Sequence, residues 1–240
     1  MRAGFRQDFQ VFHKGVIDLV TDVDHRSEVF LIGEIRRRFP NHTLITEERE
    51  SVLGEECCTW YIDPLDGTVN FAHRVPIFTV SIAYAERGKV RLGVVYDPMQ
   101  EECFRAELGH GAWLNGQPIH VSDTQELNKS LLVTGFPYDI RTNPQNNLDL
   151  FVRFSLLSQG VRRLGSAAQD LCSVAAGRFD GFWEIRLQPW DLAAGALIAQ
   201  EAGATVTNLA GNKELLIPPY SVIAANSKIH SQILNVIHNS

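Results

Sequence analysis

Long apolar runs are missing from this sequence. None approaches the roughly 18 uninterrupted apolar residues that a helical membrane span requires, so membrane insertion is excluded. Basic residues are scarce beside acidic ones, 22 Lys and Arg against 28 Asp and Glu, which leaves a net charge of −6. Without a basic stripe to displace counterions, nucleic acid is not expected as the main partner. Cysteine is confined to positions 57, 58, 103 and 172, with neither a CxxC pair nor framework spacing. Adjacent cysteines bridge only with backbone strain, so four reduced thiols and a cytoplasmic location are expected. The opening segment MRAGFRQDFQVFHKG lacks the apolar core and small-residue cleavage site of a secretory signal. Repeats, low-complexity tracts and Pro/Gly/Ser linkers are absent too, so any division into domains is subtle.

What remains is a chain of 240 residues, 45% hydrophobic, long enough to bury about three quarters of its unfolded surface. Residues 23–39 place Val29, Ile32, Ile35 and Phe39 at helical spacing and stop at Pro40-Asn41, which predicts an amphipathic helix. Short β-forming runs follow at 42–46 and 59–63, then an antiparallel meander across 77–105 with Arg-Gly and Asp-Pro turns. The second half alternates. Extended segments are expected at 131–134, 160–163, 179–185, 204–207 and 221–225, and helices at 146–158, 166–176, 191–202 and 227–238. Mixed α+β layers follow from that order.

Chemistry concentrates in Asp63-Pro64-Leu65-Asp66-Gly67-Thr68, where a strand runs into two carboxylates three apart. Pro64 removes a backbone donor and fixes the turn, while Gly67-Thr68 can open a helical turn whose N–H groups suit a phosphate. The plain alternative is an Asp-rich turn with Asp66 capping a short helix. Glu47-Glu48 ends another strand and is equally readable as a solvated pair. Asp191, before Leu192-Ala193-Ala194-Gly195, is by itself better read as a helix N-cap. Asp18, Asp22 and Asp24 form a further acidic cluster ahead of a helix. Hard oxygen donors without neighbouring His or Cys favour Mg²⁺ over Zn²⁺. A Ca²⁺ loop of the EF-hand kind fails for want of alternating acids and a terminal Glu.

The strings WYIDPLDGTVNF and WDLAAGALIAQEAGA, preceded by DLVTDVD and TEE, resemble the inositol monophosphatase branch of the Mg²⁺-dependent, lithium-sensitive sugar phosphatases. The likeness runs from Lys14 to about Asn226 in the family's order. It implies a layered αβαβα sandwich of the inositol monophosphatase and fructose bisphosphatase type, associated as a homodimer. We expect a half at 1–135 with the main metal motif and a half at 136–240 supplying Asp191 and Glu184. By the same resemblance, Glu47, Asp63 and the Leu65 carbonyl match ligands of one Mg²⁺, and Asp63, Asp66 and Asp191 those of another, with two or three ions per site. Thr68 and Asp24 match the pair that orients and deprotonates the attacking water, and the Gly67 and Thr68 amides the phosphate cradle. Asp66, Asp191, Glu184, Gly165, Ser166 and Ala167 match contacts to the substrate ring. Glu184 also reads as a charge at an exposed strand end, and Ser166 as an N-cap. Departures are local. Arg49 stands where the family often has serine, Gln188-Pro189 precede Trp190, and Lys14 falls near a mobile metal-site loop.

The implied activity is hydrolysis of a small polyol phosphate, inositol 1-phosphate first. Fructose 1,6-bisphosphate or another sugar or nucleotide phosphate is the alternative substrate. A non-catalytic regulator or scaffold is a third reading, weakened because Glu47, Asp63, Asp66, Thr68 and Asp191 are all present. MRAGFRQDFQVF resembles the tail of a longer family helix, which implies either a late start or less packing there.

Overall fold

The computed structural model of the chain describes residues 1–15 and 17–239. A short helix α1 (Arg2–Arg6) leads to a hairpin of β1 (Val11–His13) and β2 (Leu19–Thr21), and then to α2 (Asp22–Arg38). Residues 7–10 leave the helix and Val11–His13 pairs as a strand, so the expected helical tail ends at Arg6. Phe5 and Phe9 still pack, against Phe71 at 5.4 and 4.9 Å between ring centres.

Helix α2 starts on a capping box: Thr21 accepts from the Val23 and Asp24 amides, and the Asp24 carboxyl accepts from the Thr21 amide at 2.9 Å. Arg36, Arg37 and Arg38 close it opposite the helix dipole. Its buried face is not the one the apolar spacing suggested. Val29 and Phe39 are exposed, whereas Val23, Asp24 and Glu28 point inward. The inward acids have work there: the Glu48 amide donates to Glu28 at 3.0 Å, and Arg49 pairs with Glu28 at 3.4 Å. Arg49 thus ties its loop to α2.

The larger sheet comprises β3 (His42–Thr46), β4 (Glu55–Asp66), β5 (Thr79–Glu86), β6 (Lys89–Asp97), β7 (Glu102–Glu107), β8 (Ala112–Leu114) and β9 (Gln117–Pro118), side by side in that order. Helix α3 (Thr68–Ala72) links β4 to β5. Only β3 and β4 run parallel. Strand β4 is longer than the expected 59–63 and carries the Asp-Pro-Leu-Asp motif inside it. Its pairing with β5 slips between Asp63 and Asp66, and the slip accommodates Pro64, which has no N–H to give.

The smaller sheet takes β10 (Leu131–Thr134), α4 (Leu148–Leu157), β11 (Gly160–Arg162), α5 (Ala167–Ala175), β12 (Gly181–Ile185), α6 (Pro189–Glu201), β13 (Thr205–Thr207), β14 (Ser221–Ala225) and α7 (Ser227–His238) in chain order. Its strands lie β11-β10-β12-β14-β13. Helices α5 and α6 fill the space between the sheets, packing Leu171, Leu192 and Ile198 against Val95 and Phe104 on one side and Phe182 and Val222 on the other. Helix α2 covers the outer face of the larger sheet, and α4 and α7 cover that of the smaller around Phe154, Trp183 and Ile233. The result is the layered αβαβα sandwich of the α+β class.

Helix α6 is buried along nearly its whole length, and its small residues allow close approach. A Cβ on Gly93 of β6 would stand 2.8 Å from the Ala194 carbonyl oxygen, and one on Gly195 2.8 Å from the Leu171 Cβ. Gly93→Val is therefore expected to destabilise the fold by about 1–3 kcal/mol, the usual cost of overpacking. Urea unfolding reads it, and an unchanged midpoint would contradict the tight α6 seat.

Candidate active site

A cavity of about 410 Å³ opens where the C-terminal end of β4, the N-termini of α5 and α6, and the end of β12 meet. Every residue matched to a site role lines it except Asp24, which lies one hydrogen bond away.

The β4 segment supplies its floor. Asp63 is 2% exposed and accepts from the Leu65 amide at 2.9 Å, which aims the carboxyl back over the strand end. Ser27 of α2 holds the Pro64 carbonyl at 3.0 Å. Gly67, the N-cap of α3, has φ of +100°, and a Cβ there would come 2.9 Å from the Ile77 carbonyl oxygen. Only glycine turns the chain at that point without strain. Asn70 then donates to both Ile77 and Leu164 carbonyls, at 2.9 and 2.8 Å, and ties α3 to the segment before α5.

Thr68 sits between two acceptors, Asp24 Oδ1 at 2.9 Å and the Leu65 carbonyl at 3.0 Å. A hydroxyl has one proton to donate, so the two oxygens share it, while burial raises the Asp24 carboxyl above its ordinary value against the bonds from Thr21 and Thr68. Its other oxygen receives the Thr21 amide and hydroxyl. The capping and site readings of Asp24 are therefore both realised.

The remaining carboxyls also hold two posts. Asp66 accepts from the Ser166 hydroxyl at 2.6 Å and the Ala168 amide at 2.8 Å, so it seats the N-terminus of α5. Ser166 is at the same time the N-cap of α5. Helix α6 begins two residues earlier than expected, at Pro189, because Pro suits a first turn whose N–H groups are unpaired anyway. Asp191 is therefore its third residue and not its N-cap, and it accepts from the Gln188 amide at 2.7 Å. Ser81 of β5 donates to the Trp190 carbonyl at 3.2 Å and pins that helix start to the larger sheet. Glu47 follows β3 and meets Lys14 at 3.2 Å. Glu184 is 7% exposed at the end of β12, so the exposed-charge reading of it does not hold. Gly165 and Ala167 complete the wall beside it.

Crowding these acids in a buried space has an electrostatic signature. Burial, and then the charges of Glu47, Asp66 and Asp191, push Asp63 well above the carboxylate range. Burial and then Asp66 and Glu47 do the same to Asp191. Burial raises Asp66 despite the bonds from Ser166 and Ala168, and it lifts Glu47 to about 7 against the pull of Lys14. Glu184 rises to about 8 through burial and Asp66, with Arg163 opposing. Burial alone would lower Lys14, but Glu47, Glu48 and Asp18 raise it above its usual value.

Like charges gathered in low dielectric call for a cation. The donors are carboxylate and carbonyl oxygens, the set that suits Mg²⁺, and no His or Cys lines the cavity. Among the described residues, three ligand-type atoms come within 4.8 Å of one another only at Glu55, Cys57 and Cys58, at the opposite end of β4. Among the described residues the pocket carboxyls form no such group of three, although Glu47 and Asp63 are close enough to share a hydrogen bond.

Three charged lining residues escaped the sequence reading: Asp170 of α5, Arg163, and Arg186. Asp170 resembles an ordinary first-turn acid, and Arg163 an ordinary exposed charge. Arg186 adopts φ of +58° after β12 and pairs with Asp139 at 2.7 Å across the rim. Nothing in a single sequence marks a non-glycine residue for that backbone region.

Comparison with known proteins gives this geometry a context. The family model described as the inositol monophosphatase family matches residues 1–240. An inositol-1-monophosphatase from Synechocystis is 45% identical over 218 residues, 90% of this chain and 75% of the relative. A protein named Nus factor SuhB from Escherichia coli K12 is 42% identical over 222 residues, 92% of this chain and 83% of the relative. The solved structure of inositol monophosphatase from Anabaena superposes with a TM-score of 0.86 at 46% identity, over 90% of this chain and 86% of its own. Sequence and fold agree over at least nine tenths of the chain, which belongs to the inositol monophosphatase family.

Proposed function

We propose that this chain is a Mg²⁺-dependent phosphomonoesterase that releases phosphate from small polyol phosphates, inositol 1-phosphate foremost. The observation that carries the reading is the set of buried carboxyls, Asp63, Asp66, Asp191 and Glu47, facing the hydrogen-bonded pair of Thr68 and Asp24. Glu47, Asp63 and the Leu65 carbonyl would hold one Mg²⁺, and Asp63, Asp66 and Asp191 a second. Such ions supply positive charge to phosphoryl oxygens and acidify a bound water. Thr68 would orient the attacking water, its Oγ1 receiving a proton from it as its own proton passes along the hydrogen bond to Asp24. The Gly67 and Thr68 amides receive phosphoryl oxygens, while Asp66, Asp191, Glu184 and the 165–167 segment meet the ring hydroxyls.

Charge and burial support the accompanying details. Li⁺ would compete for a cation position among Asp63, Asp66 and Asp191. The exposed apolar row Leu148, Val152 and Leu156 on α4 fits coverage by a second copy in a homodimer. Four free thiols suit the cytosol. No helix among the described residues is long and apolar enough to cross a membrane. The likeness to a protein named Nus factor SuhB favours a second reading, a binding role beside catalysis. The net charge of −6 makes protein a better partner for it than nucleic acid.

Phosphate release with Mg²⁺ across inositol 1-phosphate, fructose 1,6-bisphosphate, histidinol phosphate and adenosine phosphates is expected to give the highest kcat/KM for inositol 1-phosphate. No release from any ester would refute the reading, and a preference for the bisphosphate would move the substrate. Asp63→Asn should lower kcat by more than ~100-fold with circular dichroism unchanged, since it removes the charge shared by both ion positions.

Stability gives an independent check. Stripped of divalent ions, the folded protein holds Glu47 and Glu184 near about 7 and about 8, above the roughly 4.3 of an unfolded Glu. The folded state then binds more protons than the unfolded one, so stability falls as pH rises from about 5 to about 8. The thermal midpoint should follow that fall and recover in millimolar Mg²⁺. A midpoint at alkaline pH that ignores Mg²⁺ would count against cation binding.

A further inference from the structure

Asp170 has no task in the reaction just described, yet it is among the most costly residues in the cavity. It is the fourth residue of α5, 1% exposed, and it lines the same space as Glu184. No described residue donates a hydrogen bond to its carboxyl, and Oδ1 is sealed from solvent as well. Its neighbour Gln169 turns the other way and donates to Asp97 at 2.9 Å. A buried acid without a partner opposes folding, and native proteins keep few of them. The dipole of α5 contributes only about 0.3–1 kcal/mol toward a first-turn acid. No guanidinium lies within 4.0 Å of Asp170, although Arg163 is near enough to draw its titration down against burial, Glu184 and Asp66.

Glu184 lines the same cavity and is likewise without a hydrogen-bond donor among the described residues. Its carboxyl lies flat on Gly135, where a Cβ would collide with it. The Gly135 carbonyl is held away by Asn147 at 2.7 Å, and Asn147 is fixed by the Trp183 indole at 2.7 Å. Asn147 behind Glu184 is thus fully bonded, while neither the Glu184 nor the Asp170 carboxyl receives a hydrogen bond from the described residues. Asp66 lines the same cavity and acts electrostatically on Asp170, Glu184 and Asp191 alike.

We propose that Asp170 is a specificity-determining residue which, with Glu184 and Arg163, forms a polar floor that reads adjacent hydroxyls of a ring polyol on the side remote from its phosphate. The chemistry selects the ligand. Carboxylates accept from hydroxyls and a guanidinium donates to hydroxyl oxygens, so a ring carrying several hydroxyls satisfies all three. An apolar leaving group leaves both acids unpaired, which is the strongest source of discrimination a site possesses. A second phosphate on the substrate would be repelled by Asp66, Asp170 and Glu184 together. This deepens the phosphatase reading and rests on it.

The test compares the full-length protein with Asp170→Asn and Asp170→Ala on inositol 1-phosphate and p-nitrophenyl phosphate in Mg²⁺. The ratio of kcat/KM for the polyol to that for the aryl ester should fall ~10-fold or more, the worth of one hydrogen bond to a charged group, and the loss should lie mainly in KM. The thermal midpoint of Asp170→Asn should hold or rise, because an unpaired buried acid has been replaced by a neutral amide. An unchanged ratio, or a lowered midpoint with equal losses on both esters, overturns the assignment in favour of a structural Asp170. If the wild-type protein cleaves no ester, the phosphatase reading has failed by itself. Calorimetric binding of inositol 1-phosphate then decides on Asp170: tenfold weaker binding by Asp170→Asn supports the floor, and equal binding refutes it.

Discussion

Several carboxyls share one water-poor cavity, and the cost of keeping them there shapes the parts of the fold around it. Charges of one sign in low dielectric repel and lose hydration, and a chain left to itself would turn them outward. Three of them are instead held by backbone or hydroxyl donors that belong to an element's own termination: Asp63 by the Leu65 amide, Asp66 by Ser166 and the Ala168 amide, Asp191 by the Gln188 amide. The donors are groups that a strand bend or a helix start leaves unpaired in any case. Acid and element end therefore satisfy each other, and what is left over is the negative charge that a divalent ion would neutralise.

That arrangement explains why the site lies at a junction of layers. One strand end of the larger sheet brings Asp63 and Asp66, while the two helices between the sheets bring their N-termini and the smaller sheet brings Glu184. Helix α6 has to lie close to β6 for its first turn to reach β4, and the contact of Gly93 with Ala194 sets that distance. The apolar core between the sheets is in this sense the positioning device for Asp191.

Much of this was legible in the sequence, and the reasons for the rest are physical. The long second-half elements matched within a few residues because their periodicity is strong and Gly, Asn or Pro bounds them. Strands β1, β2, β8 and β9, two or three residues each, are too short to carry a period. The inner face of α2 was misjudged because its buried residues include Asp24 and Glu28, and hydropathy assigns such residues to solvent. Asp63, Asp66 and Thr68 were legible because they are neighbours in the chain, whereas Glu47, Asp191 and Glu184 needed a family resemblance to be joined to them. Asp170 carried no signal at all, since what distinguishes it is the lack of a partner, which only the assembled walls reveal.

The capping box of α2 has one more consequence. The same Asp24 carboxyl that closes the box reaches Thr68 across 44 positions of sequence. Nucleating the first turn of a helix is its least favourable step, and here the capping side chain has its other oxygen occupied by the Thr68 hydroxyl. The start of α2 and the alignment of Thr68 thus hang on one side chain, and a drifting Asp24 loosens both at once. A substitution at this position cannot alter the helix start without also altering what Thr68 meets, which leaves evolution little freedom to adjust either property alone.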